Sequence, residues 1–302
     1  MTVVDSERPT APAERGGASR SVPARPRRPL DPLRIIAFVV LAVLAFTWLV
    51  PVLWAILTSF KTESEAAASP VTIFPENGFT LQAYTSVLGN GFVTQWAWNS
   101  LLTSAAITVI TVVISALAGY ALSRINFVGS KALLAVTVAS IMIPGQILIV
   151  PLFQQMLSLH LVDTYWGIIL PQVVAAPMVF ILKKFFDQIP RELEEAALMD
   201  GASRLRIFLQ VVVPLSRPIL AAVSIFVFIG AWNNFLWPFI VTNDSNLMTL
   251  PVGLQTVVDA YGIQYAQQMA QAVLAALPLI VVFMFFQRQI IKGIATTGIA
   301  GK

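Results

Sequence analysis

The chain has no cysteine and one histidine among its 302 residues. Disulfide frameworks and thiol chemistry are therefore excluded, and the redox compartment cannot be read from cysteine usage. His160 has no cysteine or second histidine to complete a metal site, so it reads as an exposed polar residue in an external connection. No nucleophile–histidine–carboxylate set is present. The terminal Gly301-Lys302 is not a phosphate-binding loop: Thr296 stands where the first glycine is required, and no hydroxyl residue follows the lysine. Charge is also scarce. Asp, Glu, Lys and Arg make up 11% of the chain, against about 25% in soluble domains.

What replaces charge is apolar mass, 57% of the residues, with a mean hydropathy of +0.78. A helical membrane span takes about 20 mostly apolar residues. Six segments qualify: Ile35–Leu57, Ser100–Leu122, Ala132–Leu152, Tyr165–Leu182, Ile219–Ile240 and Ala272–Ile291. The expected fold is all-α, a polytopic membrane protein of six transmembrane helices. Pro171 and Pro177 predict a kink in the fourth segment. Residues 71–83 and 249–258 are too short and interrupted to span and read as interfacial or extramembrane structure. The first segment, at 23 residues, is longer than the apolar core of a signal peptide, and reads as a true span.

None of the six spans carries Asp, Glu, Lys or Arg in its interior. Intramembrane ionisable groups usually mark proton or ion coupling. Their absence weighs against a proton-driven carrier, although sodium sites built from carbonyls and hydroxyls remain open. Six spans place both termini on one side. That side collects 18 of the 19 Lys and Arg residues and leaves Lys61 alone on the other, which makes it cytoplasmic. Residues 1–33, rich in Pro, Ala, Arg and Ser, read as a disordered basic cytoplasmic tail. Their arginines serve as orientation signals in preference to nucleic-acid binding. A transmembrane domain follows over 34–292, with external loops at 58–99 and 241–271, and 293–302 is a cytoplasmic tail.

The most polar stretch between spans is Pro190–Pro214, with seven charged residues in 25 positions. It lies within the predicted cytoplasmic loop 184–217. Pro190 suits a first helical position, and Glu192, Glu194 and Glu195 complement the helix dipole. Leu193, Ala196 and Ala197 share one face, small enough for another protein surface to come close. Asp200-Gly201 ends this helix, with Gly201 in the left-handed position. Ser203 caps a second short helix that Pro214 stops.

This pattern resembles the Glu-Ala-Ala loop of ABC importer permeases. Glu195-Ala196-Ala197, then Gly201, then Val211-Val212-Val213-Pro214 stand in its register, with valines for the usual Ile and Leu. Further residues resemble the carbohydrate branch of that family, the MalG-like permeases. They are Ser59-Phe60-Lys61, Asn99-Ser100, Gly119-Tyr120-Ala121-Leu122-Ser123-Arg124, Met142-Ile143-Pro144-Gly145-Gln146, Trp232-Asn233-Asn234-Phe235 and Thr249-Leu250-Pro251-Val252-Gly253-Leu254. The resemblance covers roughly residues 35–302 and implies the ABC importer permease fold.

It also implies a subunit without catalysis of its own, in the plasma (inner) membrane of a prokaryote. Its partners would be a second permease, two ATPase subunits that hold ATP and Mg²⁺, and an external solute-binding protein. This chain would bind no cofactor or metal itself. Glu195, Ala196, Ala197, Asp200, Gly201 and Pro214 would then dock the ATPase. Thr249, Leu250, Pro251 and Gly253 would lie toward the binding protein, within an external segment running from Asn243 to Gly262. The tail 293–302 would reach toward the ATPase pair.

For the solute path the candidates are Gln146, Trp232, Asn233 and Asn234, whose amides and indole suit a hydroxyl-rich molecule. Thr103, Ser104, Thr108, Thr111 and Ser115 admit the same reading, or interhelical hydrogen bonding. Carbohydrate import leaves two alternatives open, an ABC permease for another solute and an ion-coupled carrier.

Overall fold

The computed structural model describes residues 32–70, 72–89, 91–256 and 264–299, with side chains as far as Gln287. The disordered-tail expectation for residues 1–33 therefore lies almost wholly outside the described residues. So do residues 257–262 of the external segment and 300–302 of the C-terminal tail. Among the described residues every regular element is helical.

Two units are distinguished, dividing at Val50 and Pro51. In the first, residues 32–50 are one continuous exposed helix, the start of α1 (Pro32–Ser59). All remaining elements belong to the second. Two short helices come first, α2 (Glu63–Ala66) and α3 (Gln82–Gly89). The long helix α4 (Val93–Arg124) follows, then α5 (Ser130–Ile141), α6 (Ile149–Ser158), α7 (Tyr165–Ile169) and α8 (Ala176–Phe186). The polar loop holds α9 (Arg191–Met199), α10 (Arg204–Ile207) and α11 (Val213–Leu215). Then come α12 (Arg217–Trp232), α13 (Leu236–Val241), α14 (Leu250–Thr256) and α15 (Tyr265–Ile299).

Three helices are long and apolar enough to cross a membrane unbroken: Pro32–Ser59, Val93–Arg124 and Tyr265–Gln287. Three further candidates are bent pairs, which raises the count to as many as six if each pair is one span. The fourth expected span bends by 48° between Gln172 and Ala176, as its prolines predict. The third is not the single helix expected. It turns through 96° between Ile141 and Gly145, because Pro144 donates no N–H and biases Ile143 away from helical geometry. A 3₁₀ turn, Gly145–Leu148, then leads into α6.

The fifth expected span is also interrupted, at Asn233-Asn234. Asn233 Nδ2 donates to Ile229 O at 2.9 Å, and Trp237 N donates to Asn234 Oδ1 at 3.4 Å. The two amide side chains thus take over backbone partners and close one helix while opening the next. The last helix is longer than expected at both ends. It begins at Tyr265, before Ala272, and continues through residues 293–299.

α4 is the centre of packing. Its buried positions include Trp96, Asn99, Ser100, Thr103, Ser104, Ile107, Thr108, Thr111, Ser115, Ala116, Gly119 and Tyr120. They recur at alternating three- and four-residue spacing, which is one helix face. α8 and α12 lie against it. Most of the face is small, so backbones approach closely. A Cβ on Gly119 would lie 3.0 Å from Lys183 N and 3.3 Å from Val179 O. Thr103 and Thr108 keep their hydroxyls within the helix, donating to Asn99 O and Ser104 O at 2.7 and 2.6 Å, whereas the hydroxyls of Ser100 and Tyr120 bond to other elements. Thr103, Ser104, Thr108, Thr111 and Ser115 are all buried within this chain.

At its N-terminal end α4 holds residues 245–250. Asn99 Nδ2 donates to Asn246 O and Met248 O at 2.7 and 3.0 Å, and Trp96 Nε1 donates to Ser245 O at 2.7 Å. Leu250 N donates to Ser100 Oγ at 2.7 Å. Gly253 lies flat on the Trp96 indole, so a Cβ there would meet Trp96 Cδ2 at 2.1 Å. Gly253→Ala is therefore expected to cost about 1–3 kcal/mol through overpacking. Gly145→Ala, which would enter open space, is expected to be close to neutral. Denaturation of the two purified full-length variants in detergent compares them directly.

Candidate functional site: the loop between Pro190 and Ser216

The polar loop folds largely as its local chemistry dictates. Pro190 takes the capping position just before α9, one residue earlier than expected, and Glu192 and Glu194 fall in the first turn. Gly201 has φ +78°, the left-handed conformation that a side chain at that position would strain. Ser203 caps α10, its Oγ accepting from Arg206 N at 3.3 Å.

Pro214 does not stop the helix. A π-turn over Phe208–Val212 shifts the hydrogen-bond register, so Pro214 falls in the first turn of α11, where its missing N–H is not needed. The chain turns two residues later, at Ser216, through 81° between Arg204–Leu215 and Arg217–Trp232.

The acidic residue that anchors the loop is Glu194, one position before the residue singled out by the sequence. Its Oε1 is ion-paired to Arg124 Nε at 3.0 Å, and both side chains are about 95% buried. Glu194 Oε2 accepts from Tyr120 OH at 3.2 Å. Arg124 Nη2 also donates to Phe186 O, and to Ile189 O at 2.5 Å. The guanidinium therefore caps the carbonyl end of α8 while pairing with α9, and it lies where a helix dipole favours positive charge.

Tyr120 completes the anchor. Its ring packs on Phe208 of the π-turn at 5.1 Å and edge-on to Phe186 at 6.5 Å. Both arms of the loop are thus held to the C-terminal end of α4. Sequence reading missed this set because Arg124 and Glu194 each had a sufficient separate explanation, charge topology and the helix dipole. The available signal was that α9 carries more acid than its first turn uses.

With Glu194 turned inward, Glu195 and Ala196 are exposed, as are Asp200 and Gly201. Leu193 is exposed too, whereas Ala197 packs against the core beside α4, so the three-residue face expected from periodicity is divided. Exposed apolar side chains accompany the acids: Met199 is 89% exposed and Leu205 60%. With Arg191, Arg204 and Arg206 exposed beside Glu192, Glu195 and Asp200, the outer surface of the loop mixes apolar groups with charges of both signs, on a frame fixed from beneath.

A smaller cluster borders it. Asp187, just after α8, accepts from Ser123 Oγ at 2.8 Å and pairs with Lys183 Nζ at 2.6 Å. Partial burial raises its carboxyl. The hydrogen bonds from Lys183 and Ser123 and the charges of Lys183 and Lys184 outweigh this and hold it below the ordinary value of 3.8.

The remaining sequence candidates do not form one site. Gln146 is exposed on the 3₁₀ turn after the break in the third segment. Trp232 is buried, stacks on Phe228 at 6.0 Å and donates from Nε1 to Ala275 O at 3.2 Å. Asn234 Nδ2 donates to Gln172 Oε1 at 2.6 Å, while Asn233 is exposed. Thr249, Leu250 and Gly253 are buried within this chain, and Pro251 alone of those four is partly exposed. Among the described residues no group of His, Cys, Asp and Glu is arranged to hold a metal ion.

A family model described as the binding-protein-dependent transport system inner membrane component matches residues 111–296. The chain belongs to that family. It is 37% identical over 86% of its length to the arabinooligosaccharides transport system permease protein AraQ of Halalkalibacterium halodurans, covering 94% of that protein. It is 32% identical over 89% of its length to the trehalose/maltose transport system permease protein MalG of Thermococcus litoralis, covering 98% of it. Among solved structures, a bacterial ABC transporter involved in alginate import has a chain that superposes with a TM-score of 0.77. That match covers 85% of this chain and 95% of the other at 22% identity, a likeness of fold. The chain is thus an ABC importer permease of the MalG-like group, a membrane transport subunit of helical fold.

Two outcomes test the geometry. Glu194→Gln leaves Arg124 buried without its counter-charge and is expected to destabilise the full-length protein by about 3–5 kcal/mol, whereas the exposed Glu195→Gln stays within about 0.5 kcal/mol. Chemical denaturation in detergent distinguishes them. Asp187 has a folded pKa depressed below 3.8, so its contribution is full above that value and is lost as pH falls through the folded pKa. Asp187→Asn should remove that part of the acid-induced loss of stability and leave the profile above about pH 5 unchanged in shape.

Proposed function

We propose that this chain is one of two permease subunits of an ATP-driven importer that brings a sugar into the cell by alternating access. The observation that carries the reading is the construction of the 190–216 loop. Its outer surface is exposed and mixes apolar side chains with charges of both signs, and its inner surface is tied to α4 by the Arg124–Glu194 pair. Such a loop has a surface for a partner and a mechanical connection to the membrane helices.

On this reading a separate ATPase subunit seats on α9 and α10. Glu195 is the polar anchor, Ala196 permits close approach, and Asp200-Gly201 set the turn. Ala197 and Pro214 shape the element from within. The ATPase pair binds ATP and Mg²⁺ and closes on the two permeases, and the loop passes that closure to α4 and α8. The free energy transmitted is the difference between docking in the two states. The second permease supplies the other half of the path, and an external solute-binding protein delivers the sugar at the end where Trp96 and Asn99 hold residues 245–250. Pro251 is the exposed member of that end, with Thr249, Leu250 and Gly253 as its support.

Orientation follows from charge: 18 of 19 cations on the side of the 190–216 loop make that side cytoplasmic, with both termini. The plasma membrane of a prokaryote is the corresponding location, and nucleic acid has no part. Carbohydrate as the cargo is supported by the relatives, which are named for arabino-oligosaccharides and for trehalose and maltose.

The complete complex in proteoliposomes tests the coupling. Gly201→Val should strain the left-handed turn and reduce binding-protein-stimulated ATP hydrolysis and uptake together, by about tenfold or more, a coupling loss within the ~5–150-fold range of such linkages. Uptake at the wild-type rate by a correctly inserted Gly201→Val complex would refute the role given to the loop. Uptake driven by an ion gradient without ATPase subunits would refute the importer itself.

A further inference from the structure

The breaks in the third, fourth and fifth candidate spans sort their halves into two groups. α6 follows the break at Pro144, α7 and the 3₁₀ turn Leu170–Gln172 precede the break at 173–175, and α13 follows the break at Asn233-Asn234. These pieces pack on one another around a small core of Met156, Ile168, Trp237 and Val241. The pieces beyond the breaks, α8 and α12, contribute Leu182, Phe186, Ile219 and Val223 to a different core. At ten, five and six residues, α6, α7 and α13 each fall below the ~12–15 residues at which a helix holds by itself. Each therefore depends on the other two.

Hydrogen bonds join the α7 segment to α13 at three levels. Asp163 N donates to Val241 O at 3.0 Å, Trp237 Nε1 to Gly167 O at 3.0 Å and Asn234 Nδ2 to Gln172 Oε1 at 2.6 Å. Gly167 is a close approach: a Cβ there would lie 2.1 Å from Leu161 O and 3.3 Å from Val241 Cγ2. Tyr165 OH donates to Asn99 Oδ1 at 2.8 Å, which fixes the group to the Trp96 end of α4.

The third of these bonds sits at the breaks themselves, and each amide is used at both ends. Gln172 Nε2 donates to Ile168 O at 2.8 Å, and Asn234 Oδ1 accepts from Trp237 N at 3.4 Å. Each side chain thus serves the backbone of its own segment and spends its other half on its neighbour. A carboxamide supplies the donor and the acceptor that this needs. Backbone groups freed inside a membrane must find such partners within the protein.

We infer that α6, α7, the turn Leu170–Gln172 and α13 form one rigid cap on the Trp96 end of α4, with Gln172 and Asn234 as positioning residues that clasp two breaks into one pivot line for α8 and α12. The cap keeps its internal contacts through the transport cycle, and α8 and α12 swing from its edge. That motion rests on the alternating-access reading proposed above. Asn234 changes role: both ends of its amide are occupied, so it serves the frame and not a solute.

The chain has no native cysteine, so pairs of thiols can be introduced and joined with a short bis-thiosulfonate. The complete complex is assayed for uptake in proteoliposomes before and after bridging, and the complex without introduced thiols controls for the reagent. Leu161→Cys with Val241→Cys lies within the cap. Ile169→Cys with Val227→Cys spans the pivot, where both residues pack in the core around Ile107. The bridge within the cap should leave uptake as it was. The bridge across the pivot should arrest uptake until it is reduced.

The clasp has its own readout. Gln172→Met and Asn234→Leu should each lower the sugar taken up per ATP hydrolysed by about fivefold, the value of one hydrogen bond. The double replacement should be no worse than either single one, since both remove the same bond. Exchanging the pair, Gln172→Asn with Asn234→Gln, keeps both amides and should recover most of the loss.

Arrest by the bridge within the cap overturns the rigid cap. Undiminished uptake with the bridge across the pivot overturns the pivot. A raised KM in Asn234→Leu with Gln172→Met unchanged overturns the clasp and returns Asn234 to the solute path. In each of these outcomes the unbridged complex imports sugar, so the failure belongs to the cap and not to the importer reading.

Discussion

Helices surrounded by hydrocarbon gain little by hiding apolar side chains from one another, so they associate through close backbone approach and satisfied polar groups. In this chain that constraint falls on α4. Its buried face is a run of Ser, Thr, Asn, Ala and Gly interrupted by Trp96, Ile107 and Tyr120. The small residues let α8 come within contact of the α4 backbone at Gly119. Thr103 and Thr108 spend their hydroxyls on carbonyls of the same helix, so these two add bulk of modest size and no bond between helices. A larger residue at these positions would push out α8, and with it the loop that α8 leads into.

The two ends of α4 do different work with different chemistry. At the N-terminal end, neutral hydrogen bonds from Trp96, Asn99 and Ser100 hold residues 245–250. At the C-terminal end, a buried ion pair and an aromatic contact hold residues 194 and 208. A buried pair adds little net stability over an apolar substitute, but it is intolerant of losing one partner. It therefore favours specificity of position over affinity. α9 can sit against α4 and the end of α8 in one register only, since Arg124 must meet Glu194 and the α8 carbonyls at once.

Which parts are legible in the sequence follows from the range of the interaction that sets them. The left-handed turn at Gly201 and the cap at Ser203 depend on two or three neighbouring residues, and local pattern contains both. The choice of Glu194 over Glu195 as the inward carboxylate depends on Tyr120, 74 positions away, and no local pattern contains it. Prolines announce the irregular spans but not their outcome. Pro144 ends a helix, while Pro214 passes through one because the π-turn before it has already released its hydrogen-bond register. Gly253 is visible as part of a motif, but the reason for a glycine is the indole of Trp96, which sequence order does not bring near. Polarity sets the expected start of the last span at Ala272, which leaves the glutamines of α15 in a loop. Their spacing is helical throughout.

The distribution of breaks carries a further consequence. α4 is continuous over 32 residues, whereas Tyr165–Phe186, which leads into the polar loop, and Arg204–Trp232, which begins within it, are each bent. Breaks at Pro144, at Val173–Ala175, at Ser216 and at Asn233-Asn234 leave backbone groups without regular helical partners, and such positions are where helices change direction. The loop is therefore continuous with two jointed segments and anchored to one unjointed one. A force on its outer surface meets α4 as a rod and α8 and α12 as levers with joints at their ends. On the importer reading, that arrangement keeps the external loop and the ATPase-facing loop in fixed relation through α4 while the bent helices absorb the rearrangement. The Arg124 guanidinium, shared between α4, α8 and α9, is the point where the rod and one of the levers meet.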